Sequence, residues 1–198
     1  MKLPPYDRKL NILHAPHLVV LGAGASKAAC PNGDSNNRHL PLMDEHFVKT
    51  VGMTSILDKY SIKYDGIGFE SLFSSLYSQK KYSDLCREME DAIFNYFSEL
   101  RLPDVVTIYD YLVCSLRAKD TIATFNWDSF LIQAYRRNGY LSEENMPDLL
   151  FLHGNVGVGI CEKDKKVGPL NGECSACKNP FSSARVLLFL EVRSLLRD

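Results

Sequence analysis

His17-Leu18-Val19-Val20-Leu21-Gly22-Ala23-Gly24-Ala25-Ser26 is the stretch whose reading decides the fold. Leu18 to Leu21 is an unbroken aliphatic and β-branched run, the pattern of a strand buried on both faces of a parallel sheet and therefore flanked by helices. Gly22 and Gly24 then offer a backbone free of Cβ atoms, and Ala25 to Ala29 are small residues able to start a helix. A strand that passes through a glycine turn into a helix points free backbone N–H groups at one spot, which suits a phosphate. The full dinucleotide spacing Gly-x-Gly-x-x-Gly is missing its third glycine, because position 27 is Lys27. Gly-x-Gly alone is common, so an ordinary strand-to-helix turn and a nucleotide cradle both remain open at this point.

Outward from that stretch, 198 residues fit one domain with a sizeable core, and 23 basic against 24 acidic side chains give no net charge to recruit nucleic acid or an anionic membrane. Met1 to Asp7 carries prolines and charges where a signal peptide has its apolar centre, and no apolar run approaches membrane-spanning length. The expectation is a cytoplasmic protein whose thiols stay reduced. Of the six cysteines, Cys30, Cys86 and Cys114 are isolated, whereas Cys161, Cys174 and Cys177 are close enough in sequence to share a task.

Along the chain, Pro31-Asn32-Gly33-Asp34-Ser35-Asn36-Asn37 is a cluster of turn formers, read as a flexible loop beside the glycine turn. Pro41 fits the first position of a helix carrying Leu42, Phe47, Val48 and Val51 and ending at Gly52; Asp44 and Glu45 read as its solvated first-turn acids. From Thr54 to Leu116 the pattern is almost wholly helical. Leu85, Met89, Ala92, Ile93, Tyr96, Phe97 and Leu100 share one helix face, and Asp104 is expected to cap a further helix bearing Val105, Ile108, Tyr109, Leu112, Val113 and Leu116 as core residues. Two more short apolar runs follow. Thr121 to Phe125 leads into Asn126-Trp127-Asp128 and a helix over Ser129 to Asn138, and Leu149 to Leu152 leads into His153-Gly154. The implied architecture is α/β. It has a Rossmann-like parallel core over about 15–30 and 118–160, a helical insertion over about 40–117, and a small cysteine module over about 161–180, all within one domain spanning 1–198.

In open parallel α/β sheets ligands sit beyond the carboxyl ends of the strands. Three runs here end in Gly22-Ala23-Gly24, Asn126-Trp127-Asp128 and His153-Gly154, so their convergence would assemble a cradle, a carboxamide, a carboxylate and an imidazole around one crevice. Taken singly, Asp128 reads as a helix cap and His153 as a strand-end histidine bonded to a backbone carbonyl.

Gly22-Ala23-Gly24-Ala25-Ser26, Thr124-Phe125-Asn126-Trp127-Asp128 and Leu152-His153-Gly154, in that order, resemble the three signature segments of the sirtuins, and more closely those of bacterial sirtuin-like NAD hydrolases, many of which act in antiphage defence. The resemblance spans about residues 17–180. It implies that Gly22, Ala23, Gly24, Ala25 and Ser26 hold the diphosphate of NAD and Asp128 its nicotinamide end, and that Asn126 and His153 are the catalytic pair. The reaction implied is cleavage of the nicotinamide–ribose bond to nicotinamide and ADP-ribose, with NAD as substrate and a homo-oligomer as a common assembly. Protein deacylases of the family continue with Gly-Ile-Pro-Asp-Phe-Arg and carry Asn-Ile-Asp. Here Cys30-Pro31-Asn32-Gly33-Asp34 and Asn126-Trp127-Asp128 stand instead, which favours water over an acylated peptide as acceptor. The alternatives are a non-catalytic module binding NAD or ADP-ribose, and an NAD-dependent deacylase.

The family's zinc module has two Cys-x-x-Cys pairs. Here the second, Cys174-Ser175-Ala176-Cys177, is intact and the first is Cys161 with Asp164 in its partner's place, so a structural zinc on three thiolates and a carboxylate and an empty relic are both compatible with the sequence. Val186 to Leu190 reads as a further strand, and the family's closing strand and loop do not follow it, the expectation being a truncated or divergent member.

Overall fold

The computed structural model describes residues 15–43, 46–139 and 145–183. The N-terminal segment Met1 to Asp7, the acids Asp44 and Glu45, and the strand expected at Val186 to Leu190 lie outside them. The described chain is mixed α/β. Strands β1 (Leu18–Leu21), β2 (Thr121–Thr124) and β3 (Asp148–Phe151) form a parallel sheet in that order. Leu18 is in register with Thr121 and Thr121 with Asp148, so all three strands run out at the same edge.

Between β1 and β2 lie α1 (Ala23–Ala29), directly after β1, and then the helical insertion: α2 (Phe47–Thr50), α3 (Thr54–Lys59), α4 (Phe69–Tyr77), α5 (Ser83–Ser98) and α6 (Ile108–Ser115). Helix α7 (Phe130–Asn138) then crosses from β2 to β3. One continuous core joins these helices to the sheet, with Phe47, Phe69, Met89, Ile93, Val113, Ile122 and Phe130 fully enclosed. The α5 face holds as expected, since Leu85, Met89, Ile93 and Phe97 are all buried.

Several expectations change. Among the described strands only β2 is largely buried: Leu18 and Val20 on β1 are 65% and 56% exposed, because the described residues cover one face of β1 only. The Pro31–Asn37 loop is pinned. Buried Asp34 accepts the backbone N–H groups of Asn36 and Arg38 on one oxygen and that of Arg101 on the other. The helix expected from Pro41 is confined to Phe47–Thr50, with Gly52 at φ +77 closing it. Helix α6 begins after Thr107 and not at Asp104. Thr107 and Asp110 form a reciprocal cap, and Val105, expected in the core, is 70% exposed.

Arg137 explains that shift. From α7 it reaches Asp110 on α6 and the carbonyls of Pro103 and Val105, tying the whole 103–110 segment to its own helix. Burial alone would push the Asp110 carboxyl up, but the bonds from Arg137, Thr107 and Asn138 hold it well below the usual carboxylate range.

After β3 the chain forms a separate small sheet of β4 (Val158–Ile160), β5 (Val167–Pro169) and β6 (Ser182–Ser183), antiparallel in the order β5-β4-β6. Its core is minimal: Cys161, Cys174 and Phe181. Phe181 lies on Gly168 so closely that a Cβ there would stand 2.2 Å from its ring. No described helix is long and apolar enough to cross a membrane.

Candidate functional site

The common edge of the three parallel strands opens into a cavity of about 460 Å³. Ala23 and Ser26 reach it from the end of β1, Phe125 to Asp128 from the end of β2, and His153 from the end of β3. The opposite wall belongs to the helical insertion, with Leu40, Phe47, Glu70 and Phe97. The carboxamide and the imidazole expected to meet therefore line one crevice.

At the β1 end, Gly22 precedes α1 in extended backbone at φ −125, and Gly24 lies inside the helix. Neither adopts a left-handed conformation, so the turn itself does not demand glycine. A Cβ on either would meet nothing within 4 Å, which leaves the backbone open to close approach by a ligand.

Asn126 is buried, and its amide nitrogen is committed inward: Nδ2 donates toward the Gly22 carbonyl at 3.1 Å, Ser26 Oγ at 2.9 Å and the Tyr109 phenol oxygen at 3.2 Å. Its carboxamide oxygen has no partner among the described residues. Since the one enclosed, unpartnered side-chain polar atom of the described residues is Trp127 Nε1, that oxygen is not fully enclosed, and Asn126 lines the crevice. Ser26 Oγ donates to Asp128 Oδ2 at 2.7 Å, and Asp128 Oδ1 accepts the Phe130 backbone N–H at 3.1 Å. Asp128 thus caps α7 and also faces the cavity. Burial pushes its carboxyl up to about 6, with the Ser26 bond opposing that shift.

Ser26, expected as a ligand contact, has its hydroxyl engaged by Asp128, Asn126 and Tyr109, so it braces the site from behind. His153 is half-buried beside Phe125, ring centroids 5.0 Å apart, and its nitrogens make no hydrogen bond among the described residues. It is not the carbonyl-bonded strand-end histidine that a lone residue would suggest. Trp127 packs edge-on to Phe47, Phe69 and Phe97, ring faces that serve an indole N–H only weakly.

Two members of the site escape a sequence reading. Tyr109 sits at helical spacing among apolar residues and is indeed core, but its hydroxyl ends in the Ser26–Asn126 network; burial pushes that phenol up. Asn155, two residues after His153, is buried and donates to the main-chain carbonyls of Asn126 and Asp128, at 3.2 and 2.5 Å, which fixes the loop carrying both. A polar residue directly after His153-Gly154 was the available signal.

The cysteine module makes a second site. The ligand atoms of Cys161, Asp164, Cys174 and Cys177 all lie within 4.8 Å of one another, and the cysteines are unbridged. Cys161 Sγ is 3.4 Å from Cys177 Sγ and 3.7 Å from an Asp164 oxygen, which is itself 3.4 Å from Cys174 Sγ. Tetrahedral zinc, with sulfur at about 2.3 Å and oxygen at about 2.0 Å, implies ligand separations of about 3.5 to 3.8 Å, so the cluster has the right size for such an ion. The two halves are built alike. Lys165 bonds back to the Cys161 carbonyl at φ +54, and Lys178 to the Cys174 carbonyl at φ +63. Asp164 therefore occupies the place that Cys177 fills in the second half. These four residues can hold a metal ion with every position taken by protein, a closed and structural arrangement.

No protein-family model matches the chain, and no curated protein matches its sequence.

Proposed function

We propose that the crevice binds NAD and hydrolyses its nicotinamide–ribose bond, within a Rossmann-like, sirtuin-like domain. The observation that carries this reading is the Asn126 carboxamide, its nitrogen tied inward and its oxygen left for a ligand, in one cavity with Asp128 and His153. Breaking the bond sends its electron pair to nicotinamide, which leaves neutral, and builds positive charge on the ribose before water adds and loses a proton. Such a step needs acceptors and negative charge close to the sugar. Among the described residues the cavity is lined by Glu70 and Asp128 and by no lysine or arginine, which favours the cationic nicotinamide ring and the cationic sugar.

Asn126 Oδ1 then orients the attacking water or a ribose hydroxyl, and the unpartnered His153 imidazole accepts a proton from either. The exposed Gly22–Gly24 backbone takes the diphosphate, with no side chain in its way. The module's metal, proposed as zinc on Cys161, Asp164, Cys174 and Cys177, braces the chain after His153 and stays out of the chemistry.

Incubating the purified protein with NAD and following nicotinamide and ADP-ribose by mass spectrometry tests the proposal. Wild type should turn over, and Asn126→Ala and His153→Ala should each lower kcat by about a hundredfold or more. Saturable binding of NAD without product would select the non-catalytic reading, and turnover only with an acylated peptide would select the deacylase.

A further inference from the structure

We infer that Tyr109 is a positioning residue that fixes which end of the Asn126 carboxamide faces the crevice; this rests on the role proposed for Asn126. The donors and acceptors can be assigned one by one. Ser26 has a single hydroxyl hydrogen, and an ionised Asp128 Oδ2 at 2.7 Å takes it. The Ser26 oxygen must then accept from both of its other neighbours, the Tyr109 hydroxyl at 2.7 Å and Asn126 Nδ2 at 2.9 Å. With its own hydrogen given to Ser26, the Tyr109 oxygen is an acceptor, and it faces Asn126 Nδ2 at 3.2 Å. The hydrogen bonds run one way, from Tyr109 through Ser26 to Asp128, and every group turned toward Asn126 accepts.

Flipping the carboxamide would put its oxygen against the Gly22 carbonyl and the Ser26 oxygen, neither with a hydrogen to offer. The two hydrogens of Asn126 Nδ2 are shared among three acceptors, the Gly22 carbonyl, Ser26 Oγ and the phenol. Without the phenol, Ser26 loses the donor that keeps its oxygen an acceptor toward Asn126, and the amide is held by two acceptors in place of three. Tyr109 is 2% exposed and does not itself line the crevice, so it acts through the two lining residues it bonds, Asn126 and Ser26. Helix α6, placed by the Thr107–Asp110 cap and by Arg137, brings the phenol 83 residues along the chain from Ser26.

Tyr109→Phe keeps the ring and removes one oxygen. Two measurements on the full chain test it: steady-state NAD cleavage, and exchange with solvent of the Asn126 side-chain amide protons, identified by the pair of signals that Asn126→Ala removes. We expect kcat to fall by about tenfold or more with KM nearly unchanged, and amide exchange to speed up by a similar factor. Looser packing alone would not split kcat from KM or single out that amide. An amide pair exchanging as in wild type overturns the inference whatever happens to kcat, because any effect then bypasses Asn126. Faster exchange with unchanged kcat overturns it too. A wild type that leaves NAD intact defeats the proposed function instead, and the amide signals still decide whether Tyr109 holds the carboxamide.

Discussion

The strand-end crevice and the cysteine module both gather polar side chains into a small space, but they are held in opposite ways. In the crevice, Ser26, Tyr109, Asn126 and Asp128 are separated by up to about a hundred residues and meet because the large core places α1, α6 and the end of β2 around them. Apart from the Asn126 carboxamide oxygen, their side-chain hydrogen bonds are closed within the protein. In the module, Cys161, Asp164, Cys174 and Cys177 lie within one short stretch, are set by local turns, and have almost no core beneath them beyond Phe181. The lesson is that the crevice is preorganised by folding, whereas the module has four ligand atoms placed where a metal ion could hold them together.

The sharpest way to break that contrast is to remove a ligand of the proposed metal. Structural zinc in small modules contributes about 10 kcal/mol or more of apparent binding energy, and here no comparable apolar burial can replace it. We expect the purified protein to carry one metal ion per chain by elemental analysis, and Cys174→Ser to lose it. Hydrogen exchange should then show the 158–183 amides unprotected while those of β2 and α5 stay protected. An apo-protein whose β4–β5 amides remain protected would show the module to be self-supporting.

A smaller effect, on the other side of the comparison, comes from Arg137. Its partner Asp110 is buried, so Arg137→Met leaves a carboxylate with only Thr107 and Asn138 beside it. Because the arginine is itself partly exposed, a loss of about 2 kcal/mol is expected, read as a lowered urea midpoint at constant slope. The metal content should not change. A variant that lost metal as well would mean the two regions are coupled through α7.

How much of this was legible in the sequence follows from the same division. Asp164 entered only through the resemblance to the family's zinc module, whereas the module's three cysteines and the three strand-end segments are local patterns that could be picked out from residue type and spacing. So could the α5 face, where one periodicity runs through Leu85, Met89, Ile93 and Phe97. The supports could not. Tyr109 looks like any core aromatic until α6 is placed, and Ser26 looks like a free ligand until Asp128 takes its hydrogen. Asp104 was a plausible cap because it follows a proline, but Thr107-x-x-Asp110 offered two bonds, and Arg137, some thirty residues away, secures that choice. The bare face of β1 was invisible for a related reason: Leu18 and Val20 have the composition of a covered strand, and composition does not count the elements available to cover it.

The one stability gain falls on Asp128, and its sign is unusual enough to identify the cause. Burial raises this carboxyl to about 6, above the ordinary value of 3.8, so the folded chain holds the proton more tightly than the unfolded one. Stability contributed by protonated Asp128 is complete below about pH 4, declines between the two pKa values, and stays at its reduced level above about pH 6. A carboxamide in its place does not titrate and would show no such decline. Asp128→Asn should therefore match wild type near pH 4 and exceed it at pH 8 by up to about 3 kcal/mol, given roughly two pKa units at about 1.36 kcal/mol each, a shift that already includes the opposing Ser26 bond. Urea midpoints for both proteins at the two pH values supply the measurement. A gain that is equal at both would assign the effect to packing, while a gain confined to the higher pH, accompanied by loss of NAD cleavage, means that the fold keeps a costly charge in the crevice for what it does there.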